Sequence, residues 1–213
     1  MCPVCPACPS RELTPLHQLH DVETLTTLVL SGNKLCVGLR VFSSGGSRWI
    51  SPSLRVLDVS NNGLSTEHAE LLLEQAQTLR SLDLSKNALQ NFPQNIQCAG
   101  SLRELAMSFN QIRQVSSQDL SKLPQLESLD ISNNKLTSAG FPLATLHGHR
   151  GCMFRIINFS NNDLIDVPYQ YGYLENLQSL QLQGNGIKSL RQQVINGPIE
   201  QLKQALRNRA PAR

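Results

Sequence analysis

Between Leu79 and Ile96 the apolar residues fall at Leu79, Leu82, Leu84, Leu89, Phe92 and Ile96. No single helical or strand period fits that spacing, so the stretch reads as two legs joined by a turn. From Ser81 to Ser85 apolar and polar residues alternate, which predicts a short strand with one face inward. Asn87 then turns the chain: its side-chain amide carries both a donor and an acceptor and can satisfy turn backbone groups that lack a ladder partner. Leu89, Phe92 and Ile96 bring the return leg back to the same interior. One such unit cannot bury its apolar face alone, so it must recur to be stable.

It does recur. The register fits Leu25-Leu28-Leu30-Asn33-Leu35, Leu54-Leu57-Val59-Asn62-Leu64 and Leu102-Leu105-Met107-Asn110-Ile112. It continues in Leu126-Leu129-Ile131-Asn134-Leu136, Phe154-Ile157-Phe159-Asn162-Leu164 and Leu177-Leu180-Leu182-Asn185-Ile187. With the unit at Leu79 that makes seven, their starts 29, 25, 23, 24, 28 and 23 residues apart, and the asparagine is present in every one.

On these residues the chain resembles the leucine-rich repeat family from about Leu25 to its end. The resemblance implies an α/β solenoid, a horseshoe of about seven repeats with a parallel β-sheet on its concave face. Short helices and extended segments would share the convex face. Units of 23 residues with Pro93 and Pro168 after the turn are similar to the plant intracellular Ras-group-related proteins and their animal counterparts. So is the ending Gln183-Gly-Asn185, Arg191, Ile195, Gly197, Ile199, Leu202, Leu206-Arg-Asn-Arg209. The longer units at Leu25, Leu54 and Leu126 and the Cys-Pro start depart from that subgroup.

Four segments follow. Residues 1–9 form a Cys/Pro-rich tail, expected to be disordered because its prolines exclude helix and central strand. Residues 10–24 are a capping helix, with Thr14 and Pro15 at its start and Leu13, Leu16, Leu19 and Val22 on one face. Residues 25–187 are the repeats, and 188–213 a C-terminal cap. The cap holds an amphipathic helix from Pro198, its end loaded with Arg207, Arg209 and Arg213, where the helix dipole favours positive charge. Within the unit at Leu54, residues 66–75 read as a helix capped by Ser65 or Thr66. Two units carry extra loops, one with Ser43-Ser-Gly-Gly-Ser47 and Trp49, the other with His147 and His149.

The asparagines Asn33, Asn62, Asn87, Asn110, Asn134, Asn162 and Asn185 are expected to form a buried structural ladder. The surface is read from the remaining positions. Counting from each unit's first apolar residue, positions 3, 5, 7 and 8 are expected to face solvent. Position 5 gives an acidic stripe, Asp58, Asp83 and Asp130, continued by Asn158. Position 3 contributes Glu104, and position 8 contributes Phe109, a large aromatic with no core to enter. These six residues are the candidate partner-binding set, since exposed aromatics are enriched at binding hot spots. Position 2 carries Arg55, Arg80, Arg103 and Arg155, which could simply pair with the acidic stripe across neighbouring repeats.

Charge and composition narrow the function further. A formal net charge of +3 over 213 residues supplies no broad field for nucleic acid or an anionic membrane. No apolar run approaches the roughly 20 residues of a membrane-spanning helix. The six cysteines show no paired capping pattern, and the N-terminus lacks a secretory signal, so a cytoplasmic protein is expected. Asn158-Phe159-Ser160 spells a glycosylation acceptor, but on a predicted strand. Cys5, Cys8, His17 and His20 have the residue types of a Cys2His2 zinc site; the linker is short and the histidines lie among leucines, so no metal is assigned. No phosphate-cradling loop and no nucleophile–base constellation is present, so no enzymatic activity and no cofactor are expected.

The expected function is an intracellular scaffold or signalling adaptor, monomeric, that binds a partner protein on its concave face. The subgroup resemblance implies a small GTPase or a phosphatase-type component as that partner. The alternative makes the Cys-Pro segment the active part, bound to metal or lipid, with the repeats as its carrier.

Overall fold

The computed structural model describes residues 23–35, 50–115, 119–120, 122–137 and 153–211. The Cys-Pro tail with Cys5 and Cys8, the segment with His17 and His20, and the loops carrying Trp49, His147 and His149 lie outside the described residues.

Each repeat contributes one strand: β1 (Thr27–Val29), β2 (Val56–Asp58), β3 (Ser81–Asp83), β4 (Glu104–Ala106), β5 (Ser128–Asp130), β6 (Ile156–Asn158) and β7 (Ser179–Gln181). All pair in parallel, in sequence order, to give one open seven-stranded sheet. The register is position for position, so Leu57, Leu82, Leu105, Leu129, Ile157 and Leu180 form one inward row across the sheet. Every member of that row is buried, and each buried leucine contributes about 1.5–3 kcal/mol. The first repeat is less covered, with Leu25, Leu28 and Leu30 only partly buried.

The strands are shorter than the alternation predicts. The third ends at Asp83 rather than Ser85. The Ser85 N–H is taken by Asp83 Oδ1 at 2.7 Å, which bends the chain out of the extended conformation. Ser85 and Ser132 are also buried, so position 7 does not face solvent in those two repeats, while Ser31 and Gln183 at the ends do.

The asparagines stitch each repeat to the one before it. Asn110 Nδ2 donates to the carbonyls of Leu84, Met107 and Ser108, while its Oδ1 accepts from the Leu89 N–H at 3.0 Å. Asn62, Asn87, Asn134, Asn162 and Asn185 repeat the scheme. Asn62, Asn110, Asn134 and Asn162 are buried, Asn87 and Asn185 half-buried. Asn33 departs from the expected buried ladder: it is exposed, and its Nδ2 donates only within its own turn, to Leu30 and Ser31. No described strand precedes β1 for it to reach.

On the convex side the return legs differ with repeat length. Helix α1 (Thr66–Leu73) fills the longer unit, capped by Ser65. His68 closes that capping box, its Nδ1 accepting from the Ser65 N–H at 3.1 Å, where a glutamate is more usual. The two 23-residue units instead use single 3₁₀ segments, Gln94–Ala99 and Tyr169–Tyr173, each following a proline. Helices α2 (Gln192–Ile195) and α3 (Ile199–Arg207) close the C-terminal end, with Pro198 at the N-cap of α3. Gly172 lets α3 come close, because a Cβ there would lie 2.6 Å from the Lys203 carbonyl oxygen. The arginines of the cap do more than complement a dipole. Arg207 Nε donates to the Gly172 carbonyl at 2.7 Å, and Arg209 grips Asp166 with bonds of 2.7 and 2.9 Å.

Candidate functional site

Positions 3 and 5 of each strand point to the same side of the sheet, away from the leucine row. That side is the concave face. It carries Thr27, Val56, Ser81, Glu104, Ser128, Ile156 and Ser179 in one row, and Val29, Asp58, Asp83, Ala106, Asp130, Asn158 and Gln181 in the next. Of the candidate residues, Asp58, Asp83, Asp130 and Asn158 lie half-exposed in the second row and Glu104 exposed in the first.

The acidic residues have a local structural task as well. Oδ1 of Asp58, Asp83 and Asp130 accepts from the N–H two residues on, at 2.8, 2.7 and 2.9 Å. Asn158 Oδ1 does the same for Ser160 and takes its hydroxyl too. These bonds hold the strand-to-turn bend and fix each carboxylate's orientation. The Asp-x-Ser wording carries this signal, and sequence reasoning missed it. The expected pairing of arginines with the acidic stripe is replaced: Arg103 and Arg155 both converge on Glu127, at 3.3 and 3.4 Å. Such exposed pairs contribute about 0–1 kcal/mol each. Glu104 instead accepts from Ser81 Oγ at 3.0 Å.

The residue at position 8 has a conformation that the sequence did not announce. Gly32, Asn61, Lys86, Phe109, Asn133, Asn161 and Gly184 all sit at positive φ, between 54° and 76°. Glycine and asparagine tolerate that left-handed region, which costs other residues roughly 1–2 kcal/mol. Five of the seven are Gly or Asn; Phe109 is the bulky exception. It is 53% exposed, so burial offsets the strain only in part. The Lys86 ammonium lies over its ring, 5.9 Å from the centroid.

At the other end, Asp166 joins the last repeats to the cap. Burial pushes its carboxyl up, but hydrogen bonds from Ser189, Arg209 and the Val167 N–H, with the Arg209 charge, outweigh that and hold it below the usual range. A polar cleft of about 430 Å³ between the last repeat and α3 is lined by Arg155, Glu175, Gln178, Glu200 and Lys203. The buried Lys203 ammonium there donates to the Leu177 carbonyl and Glu200. Among the described residues, no three His, Cys, Asp or Glu side chains gather where a metal could be held. No described helix is long and apolar enough to cross a membrane.

With this geometry, comparison with known proteins is informative. A leucine rich repeat family model matches residues 52–112 and 77–136. Podocan-like protein 1 of Mus musculus is 30% identical over 136 residues, covering 63% of this chain and 23% of its own length. CD180 antigen of Mus musculus is 31% identical over 169 residues, 76% of this chain and 24% of its own. The chain thus spans about a quarter of the length of these two relatives. An internalin of Listeria monocytogenes shares the fold with a TM-score of 0.58 at 19% identity, over 82% of this chain and 46% of that one. The architecture is a leucine-rich repeat horseshoe, and the sequence matches support that family for the chain. Proteins of this kind commonly act by binding other proteins and are generally not enzymes.

Proposed function

We propose that this chain is a protein-binding scaffold whose partner docks on the concave face around β3, β4 and β5. The observation that carries this reading is Phe109, exposed and in a backbone conformation that disfavours it. A large aromatic that stands half out of the fold, on a backbone that strains it, is suited to a contact outside the fold. The half-exposed carboxylates of Asp83 and Asp130 on the flanking strands, and Glu104 beside them, supply polar contacts around that anchor. Affinity then comes from area and a few anchors on a rigid curved sheet rather than from a pocket.

An intracellular placement belongs to the same reading, on the ground that the six cysteines follow no paired capping pattern in the sequence. A small GTPase or phosphatase-type partner is suggested by the subgroup resemblance alone, and a monomeric state is part of the same proposal. The test is capture of partners from source-cell lysate by the native chain and by an Asp83→Arg, Phe109→Ala variant shown to be folded by circular dichroism. Loss of the captured protein in the variant supports the concave centre. Equal capture by both refutes it.

A further inference from the structure

The fourth repeat breaks two surface columns at once. In the position-5 row, Ala106 stands between Asp83 and Asp130, paired with both in register. In the position-8 column, Phe109 stands between Lys86 and Asn133. The two departures fall on one turn, three residues apart. Together they leave a small apolar site with a carboxylate on the strand to either side and Glu104 one position-pair along the same strand.

The chemistry this site takes is visible in the chain itself. Lys86 holds its ammonium over the Phe109 ring at 5.9 Å, the outer limit of such a contact, so the ring meets a cation there and an incoming one displaces the flexible Lys86 side chain. Each flanking aspartate has one oxygen bound to a backbone N–H, which aims the carboxylate without neutralising its charge. Strands two apart are separated by about 9–10 Å, leaving room for a planar group between Asp83 and Asp130. A guanidinium fits better than an ammonium: it stacks flat on an aromatic face and sends donors in several directions, whereas an ammonium is a compact point charge.

We infer that the Ala106–Phe109 turn, flanked by Asp83 and Asp130, receives an arginine side chain presented by the partner protein. The stem lies over Ala106, the guanidinium stacks on the Phe109 ring, and its N–H groups reach the carboxylates. This rests on the protein-binding reading and names the partner's chemistry at its centre.

The test uses the full chain and a fluorescein-labelled decapeptide of alternating glycine and arginine, read by fluorescence anisotropy. Its partners are the same peptide with citrulline, the neutral near-isostere, and with lysine. The arginine peptide is expected to bind about tenfold tighter than the citrulline one and more tightly than the lysine one. Asp83→Asn with Asp130→Asn should weaken it about tenfold, and Phe109→Asn about threefold. The Glu67→Gln, Glu175→Gln variant removes the same charge from exposed positions off this face and should leave binding unchanged.

Equal binding of the arginine and citrulline peptides overturns the inference. So does an Asp83→Asn, Asp130→Asn variant that binds no worse than the charge-matched control. If that happens while the Asp83→Arg, Phe109→Ala variant still loses the lysate partner, the arginine inference falls alone. If that variant also keeps the partner, the concave-face reading falls with it.

Discussion

Asn110 and Phe109 are neighbours in sequence and belong to opposite regimes of the molecule. Asn110 is buried, donates to three carbonyls and accepts from a fourth backbone group in the preceding repeat. Phe109 is exposed and strained, and its ring meets the Lys86 ammonium at the outer limit of such contacts. In the asparagine column all seven repeats keep one residue type, and from Asn62 to Asn185 each amide closes backbone groups of the preceding repeat that are largely or wholly shielded from water. In the next column the requirement is a backbone angle, so Gly, Asn, Lys and Phe all occur. Strict columns hold the solenoid together; a column with a loose requirement is where a particular surface can be written.

The sharpest way to break this contrast is to compare substitutions on its two sides by urea denaturation. Leu105→Ala, in the buried row of β4, is expected to lose about 3–4 kcal/mol through lost transfer energy and a cavity. Asn110→Ala should lose about 2 kcal/mol, because it strands buried carbonyls and one N–H. Asn33→Ala, at the exposed end of the same column, should stay within about 0.5 kcal/mol. An equal loss at Asn33 and Asn110 would show that the ladder does not act through burial.

On the other side of the comparison the sign reverses. Phe109→Asn should stabilise the fold by less than about 1 kcal/mol, since asparagine relieves the left-handed strain and only the partial cover of a half-exposed ring is lost. A destabilised Phe109→Asn would mean that the ring packs as part of the fold, and the contrast would collapse.

The smallest effect belongs to the cap. The Asp166 carboxyl is held below its usual range in the fold, so its contribution is complete above the unfolded carboxyl range and disappears as pH falls through the folded value. Its side chain is 48% exposed, and solvent screening keeps that contribution under about 1 kcal/mol. The acid limb of a stability–pH curve should therefore flatten slightly in Asp166→Asn, and an unchanged limb would remove the clasp from the account of the cap.

Much of this was legible beforehand for a physical reason. The leucine row and the asparagine column are imposed by burial in the repeats from Leu54 onward, and the less covered first repeat follows the same spacing. The positive φ of position 8 was legible in principle, because Gly32, Asn61, Asn133, Asn161 and Gly184 are the residues that tolerate it. The strained state of Phe109 followed only once that column was seen as a conformation. The Asp-x-Ser bends shortened the strands because a side chain competed locally with the ladder. The Asp166–Arg209 clasp joins residues 43 apart, and the two arginines on Glu127 come from different repeats. Neither has a local signature, since which long side chains meet depends on how the repeats stack.

The most direct single measurement is hydrogen–deuterium exchange of the full chain with and without its captured partner. If the partner docks on the concave centre, the peptides covering 81–86, 104–109 and 128–133 are expected to gain protection, while α1 and the 3₁₀ segments of the convex side stay unchanged. Protection confined to the convex side, with exchange at Phe109 unaltered, would contradict it.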